Sequence, residues 1–127
     1  MLVEDNPADA RLVRTALEHH GIEGEVALFT DGEKAILFVQ SARTEDVPCP
    51  DLVIIDLNLP KRSGHELLES VRRSEKWGDV PVVILSSSDA AQDKAEAARL
   101  GANRYLRKPS RLDEFLGLGT VFKELLR

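Results

Sequence analysis

The chain has 127 residues, 43% of them hydrophobic and 31% charged, and its 17 Lys and Arg against 22 Asp and Glu give a net charge of −5. This size and composition are typical of one folded domain and exclude a disordered chain. The negative charge argues against broad binding to nucleic acid or to an anionic membrane, and the single cysteine excludes a disulfide framework.

The first part of the chain predicts a strand, a helix, a second strand and a second helix. Residues 1–3 form a strand that is short beside the usual length of about five or six residues. Asn6 and Pro7 are typical of a helix start, because Asn caps the first amides and Pro fits the first helical position. A strand over residues 25–29 follows, and Asp31 is placed to cap the second helix.

Two apolar runs mark the middle of the chain. Residues 52–55 and residues 80–85 are rich in Val and Ile, which is typical of strands buried on both faces in a parallel sheet. Between them, apolar residues at helical spacing predict a helix over residues 66–73. We interpret Gly64 as easing the turn into that helix.

The last part of the chain predicts a helix, a strand and a final helix. The helix over residues 89–100 has mostly alanine at its inner positions, so we expect it to pack lightly. A short strand over residues 104–106 follows. The final helix, residues 112–125, contains Gly117 and Gly119, each of which weakens it by about 1 kcal/mol relative to Ala.

This alternation of strands and helices predicts an α/β fold with a parallel, five-stranded sheet covered on both sides. In such folds ligands bind beyond the carboxyl ends of the strands. The residues at those ends are Glu4 and Asp5 after the first strand, Asp56 after the third, Ser86 after the fourth and Lys108 after the fifth. We therefore expect these five side chains to share one pocket.

The charges of this pocket indicate its chemistry. Three carboxylates and one lysine leave a charge of −2, which a divalent cation would balance. Hard oxygen donors without His or Cys suit Mg²⁺. A carboxylate beside a lysine and Mg²⁺ is a plausible nucleophile toward phosphorus, as in aspartyl-phosphate chemistry. We expect the charge of Lys108 to be balanced only when metal and phosphate are present.

These motifs resemble those of a known family. The segments Leu2–Asn6, Ile54–Pro60, Gly64, Leu85–Ser87 and Lys108–Pro109 resemble, in order and along essentially the whole chain, those of the receiver domain of two-component response regulators. The resemblance implies a flavodoxin-like, doubly wound (βα)5 fold whose sheet has the strand order 2-1-3-4-5.

Residue by residue, the resemblance implies a phosphorylation site. Asp56 would be the phosphoacceptor. Asp5, Asp56 and the backbone carbonyl of Asn58 would ligate Mg²⁺, with Glu4 joining through water. Lys108 would pair with the phosphoryl group.

The resemblance also implies a switch. Ser86 stands where the family has its switch Thr or Ser, and Tyr105 where it has its switch aromatic residue. The Lys108–Pro109 bond resembles the family's cis peptide.

Within the family, the Pro7-Ala8-Asp9 start, the long polar loop before Pro50, and Trp77 are similar to the subgroup of receivers encoded beside phytochrome-type histidine kinases. We therefore expect a signalling module and not an enzyme, with a single receiver domain over residues 1–127, no output domain and a cytoplasmic location. Its partners would be a histidine kinase and a downstream protein or a second copy of the chain. The latter two would bind the face of the fourth helix, fifth strand and fifth helix.

The alternative is a phosphatase of the haloacid dehalogenase type, which shares the nucleophilic Asp, the Ser or Thr and the Lys on a similar sheet. That enzyme needs a second acid two residues after its nucleophile, and Asn58 at that position cannot transfer a proton. A receiver used as an unphosphorylated scaffold is a third interpretation, and the complete acidic pocket argues against it.

Overall fold

The computed structural model describes residues 1–42 and 47–126. Its strands are β1 (Leu2–Val3), β2 (Leu28–Phe29), β3 (Val53–Ile55), β4 (Val82–Ser86) and β5 (Arg104–Arg107). Its helices are α1 (Pro7–His19), α2 (Gly32–Ser41), α3 (Gly64–Arg73), α4 (Ala91–Arg99), α5 (Leu112–Gly117) and α6 (Gly119–Leu125). The strands form one parallel sheet in the order β2-β1-β3-β4-β5, so the predicted flavodoxin-like order is confirmed. Within the described residues, no helix is long and apolar enough to cross a membrane.

The strands of the sheet range in length from two residues in β1 and β2 to five in β4. β3 and β4 are buried along their whole length, as their apolar runs predict. The two-residue β1 pairs with both β2 and β3, and the ammonium group of Met1 extends the pairing by donating to Leu52 O at 2.9 Å. The strand predicted over residues 25–29 is confined to Leu28–Phe29, because this edge strand pairs only with the short β1.

Alternate residues of the sheet pack against two helix layers. Val53 and Ile55 of β3 belong to a core with α2, α3 and α4, whereas Ile54 belongs to a core with α1, α5 and α6. The fully buried Trp77 lies in the first core. α4 contributes one buried residue, Ala97, so it packs lightly, as its alanine content predicts.

Side-chain caps set the starts of three helices. Asn6 accepts hydrogen bonds from two amides of the first turn of α1, at 2.9 and 3.1 Å, and Asp31 accepts one in α2 at 2.7 Å, both as predicted. Ser63 and Glu66 form a capping box, in which each side chain bonds the other residue's amide. This box begins α3 at Gly64, two residues before the predicted start.

The predicted final helix consists of two segments, α5 and α6, which meet at Leu118. A Cβ at Gly119 would overlap the ring of His20 and lie 2.8 Å from the carbonyl oxygen of Ala16 in α1. Gly117, by contrast, borders open space. Gly119 therefore permits the close approach of α6 to α1, a packing role that helix propensity does not reveal.

Candidate functional site

The carboxyl ends of β1, β3 and β5 meet around the ammonium group of Lys108. Its Nζ donates to Glu4 Oε1 at 2.5 Å, to Asp9 Oδ2 at 2.8 Å and to Asp56 Oδ2 at 2.9 Å. The side chains of Glu4, Asp56 and Lys108 are only 3%, 8% and 10% exposed. The predicted meeting of these three side chains is therefore confirmed. The expectation that Lys108 is balanced only by metal and phosphate is wrong, because three carboxylates surround it.

Asp9 is the contact of this pocket that the sequence analysis missed. It lies in the first turn of α1 and its side chain is 25% exposed. That turn directly follows the acidic pair at the end of β1, so a carboxylate within it lies at the same edge of the sheet as that pair. This placement, combined with the lysine after β5, is the signal that could have identified Asp9.

Burial and charge together control protonation in the pocket. Burial and the neighbouring carboxylate of Asp56 raise the pKa of Glu4 to about 7, and Lys108 offsets part of this rise. Burial alone would lower the pKa of Lys108, but its hydrogen bonds to Asp9, Glu4 and Asp56 outweigh that effect and raise it above the ordinary lysine value. The lysine is therefore charged at neutral pH, whereas Glu4 titrates there.

Three carboxylates of the pocket fit a metal ion. Glu4, Asp5 and Asp56 each offer one oxygen, and these oxygens lie within 4.8 Å of one another. Glu4 Oε2 is buried and has no hydrogen-bond partner among residues 1–42 and 47–126, a situation that costs about 1–3 kcal/mol. A cation, or a water bound to one, would satisfy that oxygen. The donors are hard carboxylate oxygens, so the set fits Mg²⁺.

The loop after β3 is held closely against the start of α3. The Asn58 amide donates to Asp56 Oδ1 at 3.1 Å, and the Gly64 amide donates to Leu57 O at 3.0 Å. A Cβ at Gly64 would overlap the carbonyl oxygen of Asp56 and lie 2.7 Å from the Cα of Leu57. The φ of Gly64 is not positive, so this glycine eases the turn into α3 by permitting the close approach of the two backbones and not by a left-handed conformation. Metal ligation by the Asn58 carbonyl stays a prediction.

The predicted switch residues meet at the loop after β4. Ser86 is fully buried; its Oγ accepts from the Ser88 amide at 3.2 Å and its carbonyl oxygen accepts from the Lys108 amide at 2.8 Å. The hydroxyl of Tyr105 donates to Ser88 O at 2.9 Å. The backbone of Lys108 and the side chain of Tyr105 are thus both tied to the segment that begins at Ser86.

The peptide bond between Lys108 and Pro109 is trans, and none of the described peptide bonds is cis. The predicted cis peptide is therefore wrong. An X–Pro bond favours trans by about 0.5–1 kcal/mol unless its surroundings demand cis. In the trans form Lys108 already reaches its three carboxylates.

Comparison with known proteins identifies the family. Residues 1–118 match the response regulator receiver domain. The chain belongs to this family. The receiver domain is 36% identical to the response regulator Rcp1 of Synechocystis sp. over 115 residues. The aligned residues cover 90% of this chain and 78% of Rcp1. Receiver domains are signalling modules that histidine kinases phosphorylate, so the family assigns this chain to phosphorylation-dependent signalling.

Solved structures of relatives share the fold. The phosphorylated cyanobacterial phytochrome response regulator RcpA matches with a TM-score of 0.87 at 32% identity, over 98% of this receiver domain and 90% of that chain. The Mn²⁺-bound form of the response regulator Rcp1 matches with a TM-score of 0.85 at 34% identity, over 97% of this receiver domain and 89% of that chain. The first agrees with the subgroup resemblance, and the second is a relative that binds a divalent cation. These relatives do not favour the phosphatase alternative.

Proposed function

We propose that Asp56 of this receiver domain accepts a phosphoryl group from a histidine kinase. The observation that carries the proposal is the convergence on Asp56 of a lysine and two further acids at one edge of the sheet. Asp56 Oδ2 lies 2.9 Å from Lys108 Nζ, and oxygens of Glu4 and Asp5 lie within 4.8 Å. Asn58, two residues further on, leaves this loop without the second acid of a phosphatase.

The transfer follows from the chemistry of these side chains. A carboxylate oxygen of Asp56 attacks phosphorus in line with the bond to the donor histidine. An O–P bond forms as the N–P bond breaks, and the histidine nitrogen keeps the electron pair. Lys108 donates an N–H to an oxygen of the phosphoryl group, which stabilises its charge without a proton transfer.

Mg²⁺ is the cation that we propose for this pocket. Asp5 and Asp56 would be direct ligands with the backbone carbonyl of Asn58, and Glu4 would join through water. When bound, the ion neutralises charge on the phosphoryl oxygens. The four carboxylates of the pocket and its one lysine carry a formal charge of −3, and the buried oxygen of Glu4 has no hydrogen-bond partner among the described residues, so both charge and hydrogen bonding support the proposal.

Ser86 and Tyr105 are proposed to relay phosphorylation to α4. The Ser86 hydroxyl would turn to a phosphoryl oxygen and release the amide of Ser88, whose carbonyl oxygen holds Tyr105. Movement there acts on the start of α4, which has no side-chain cap and buries Ala97 alone. Because this helix packs lightly, a new set of hydrogen bonds can shift its population between two positions.

The α4–β5–α5 face is the output surface that we propose. Arg104 and Arg107 of β5 are exposed, and Leu112 at the start of α5 is 60% exposed. This mixture of charged and apolar side chains suits a downstream protein or a second copy of the chain. The likeness to a phytochrome response regulator supports a phytochrome-type histidine kinase as donor, and the exposed thiol of Cys49 fits a reducing cytoplasm.

Mapping of the phosphorylated residue tests the proposed function. The protein is incubated with acetyl phosphate and Mg²⁺, and the acid-labile adduct is located by mass spectrometry. We expect labelling of Asp56 that chelation of Mg²⁺ prevents and that Asp56→Asn abolishes. Asp51→Asn, at the exposed opposite end of β3, is the matched control and should label like the wild type. Undiminished labelling of Asp56→Asn would sink the assignment.

Amide exchange tests the proposed switch. With beryllofluoride and Mg²⁺, a phosphoryl mimic, protection should change in the loop after β4 and in α4 and β5. Ser86→Ala and Tyr105→Ala should reduce this response. If the changes are confined to α1 and α2 and both variants respond like the wild type, the switch lies elsewhere.

A further inference from the structure

The ammonium group of Lys108 has no free N–H. It carries three, and Glu4, Asp9 and Asp56 each accept one, at 2.5, 2.8 and 2.9 Å. Phosphorylation of Asp56 frees at most the one N–H that Lys108 donates to Asp56. A phosphoryl group offers three oxygens, so any further N–H that binds it must leave Glu4 or Asp9.

These two contacts differ in how easily they can be released. The side chain of Glu4 is 3% exposed, whereas that of Asp9 is 25% exposed. A carboxylate that loses its counter-ion is destabilised less where water can replace the lost hydrogen bond. Asp9 is therefore the partner that Lys108 can give up at the lower cost in free energy.

The position of Asp9 in the fold also sets it apart. Glu4 and Asp56 follow central strands, whereas Asp9 belongs to the first turn of α1. Its backbone amide donates to Asn6 Oδ1 at 3.1 Å, so the helix cap and the ion pair hold the same turn. Loss of the contact with Lys108 would remove the restraint that ties this turn to β5, and the Asn6 cap would remain.

We propose that Asp9 is a positioning residue that holds Lys108 on the α1 side of the pocket, and that the phosphoryl group displaces Asp9 when Asp56 is phosphorylated. The inference rests on the proposed function, and it adds that the ion pair with Asp9 restrains Lys108 before phosphorylation. Asp9 lowers the affinity of the pocket for a phosphoryl group, and its release loosens the first turn of α1.

Titration with beryllofluoride at saturating Mg²⁺ measures this competition. Asp9→Ala should bind the mimic about fivefold more tightly, the change expected for loss of one partly exposed ion pair. Asp9→Glu, which keeps the carboxylate, should bind like the wild type. The control Asp113→Asn alters a carboxylate of the first turn of α5 that is 69% exposed and pairs with Arg111, and it should have no effect.

The protons of the Lys108 ammonium report the contact itself. Their hydrogen exchange, followed by NMR of Nζ, should be slow in the wild type and faster in Asp9→Ala. A variant with tighter binding but unchanged exchange would show that Asp9 acts through its charge alone, and the proposed contact would be overturned. Unchanged or weaker binding of the mimic by Asp9→Ala would also overturn it. If the wild type itself does not bind beryllofluoride with Mg²⁺, the proposed function fails as well.

Discussion

Replacement of Gly64 by alanine tests whether the packing of α3 on the end of β3 holds Asp56 in place. The new Cβ would overlap the carbonyl oxygen of Asp56 and lie 2.7 Å from the Cα of Leu57. Favourable carbon–carbon contacts begin at about 3.5 Å, so the two backbones must separate by roughly 0.8 Å. Both obstacles are backbone atoms, so no change of rotamer relieves the overlap. Overpacking of this kind costs about 1–3 kcal/mol.

Urea denaturation should show the cost directly. We expect the unfolding free energy of Gly64→Ala to fall by about 2 kcal/mol. The Tm should fall by roughly 6–10 °C for a domain of this size. The affinity for Mg²⁺ should fall too, because the displaced segment carries Asp56 and Asn58.

Gly117→Ala provides the matched control. Gly117 ends α5 beside open space, so alanine there should stabilise the protein by up to about 1 kcal/mol. If Gly64→Ala unfolds with the free energy of the wild type and binds Mg²⁺ equally well, the close approach of α3 does not position the site.

Three further changes test the pocket and the loop after β3. As the pH rises from 4.5 to about 7, the unfolding free energy of the metal-free protein should fall by on the order of 3 kcal/mol because of Glu4. Glu4→Gln should not show this decrease. In that window Glu4 has ionised in the unfolded chain but still holds its proton in the folded one; parallel pH profiles of the two proteins would contradict this. Lys108→Ala should lower the unfolding free energy by about 3 kcal/mol at neutral pH because buried carboxylates lose their counter-ion. Saturating Mg²⁺ should restore part of that loss, and a metal-free variant as stable as the wild type would refute the expectation. Lys61 has a φ of 70°, in the left-handed region, so Lys61→Gly should raise the unfolding free energy by about 0.5–1 kcal/mol. Lys61→Ala should not, and equal stability of the two variants would rule out backbone strain.

Sequence by itself determined the order of strands and helices and most of the candidate site. Apolar runs identified β3 and β4, and the caps Asn6 and Asp31 identified two helix starts, because burial and capping leave patterns within a few residues. The rule that parallel strands end at one edge then placed Glu4, Asp56 and Lys108 together.

Tertiary structure alone decided what these side chains contact. Asp9 reaches Lys108 across 99 positions of the chain. Its place after β1 puts it at the same edge of the sheet as Lys108, but only the packing of α1 shows that the two side chains pair. From the sequence, Gly64 appears only to ease a turn and Gly119 only to weaken a helix, until the backbone and ring that border them are known. The periodicity of apolar residues shows which face of a segment is buried. The distances between segments, however, depend on how the two helix layers pack on the sheet. Those distances determine which side chains pair in the pocket and what charge it carries.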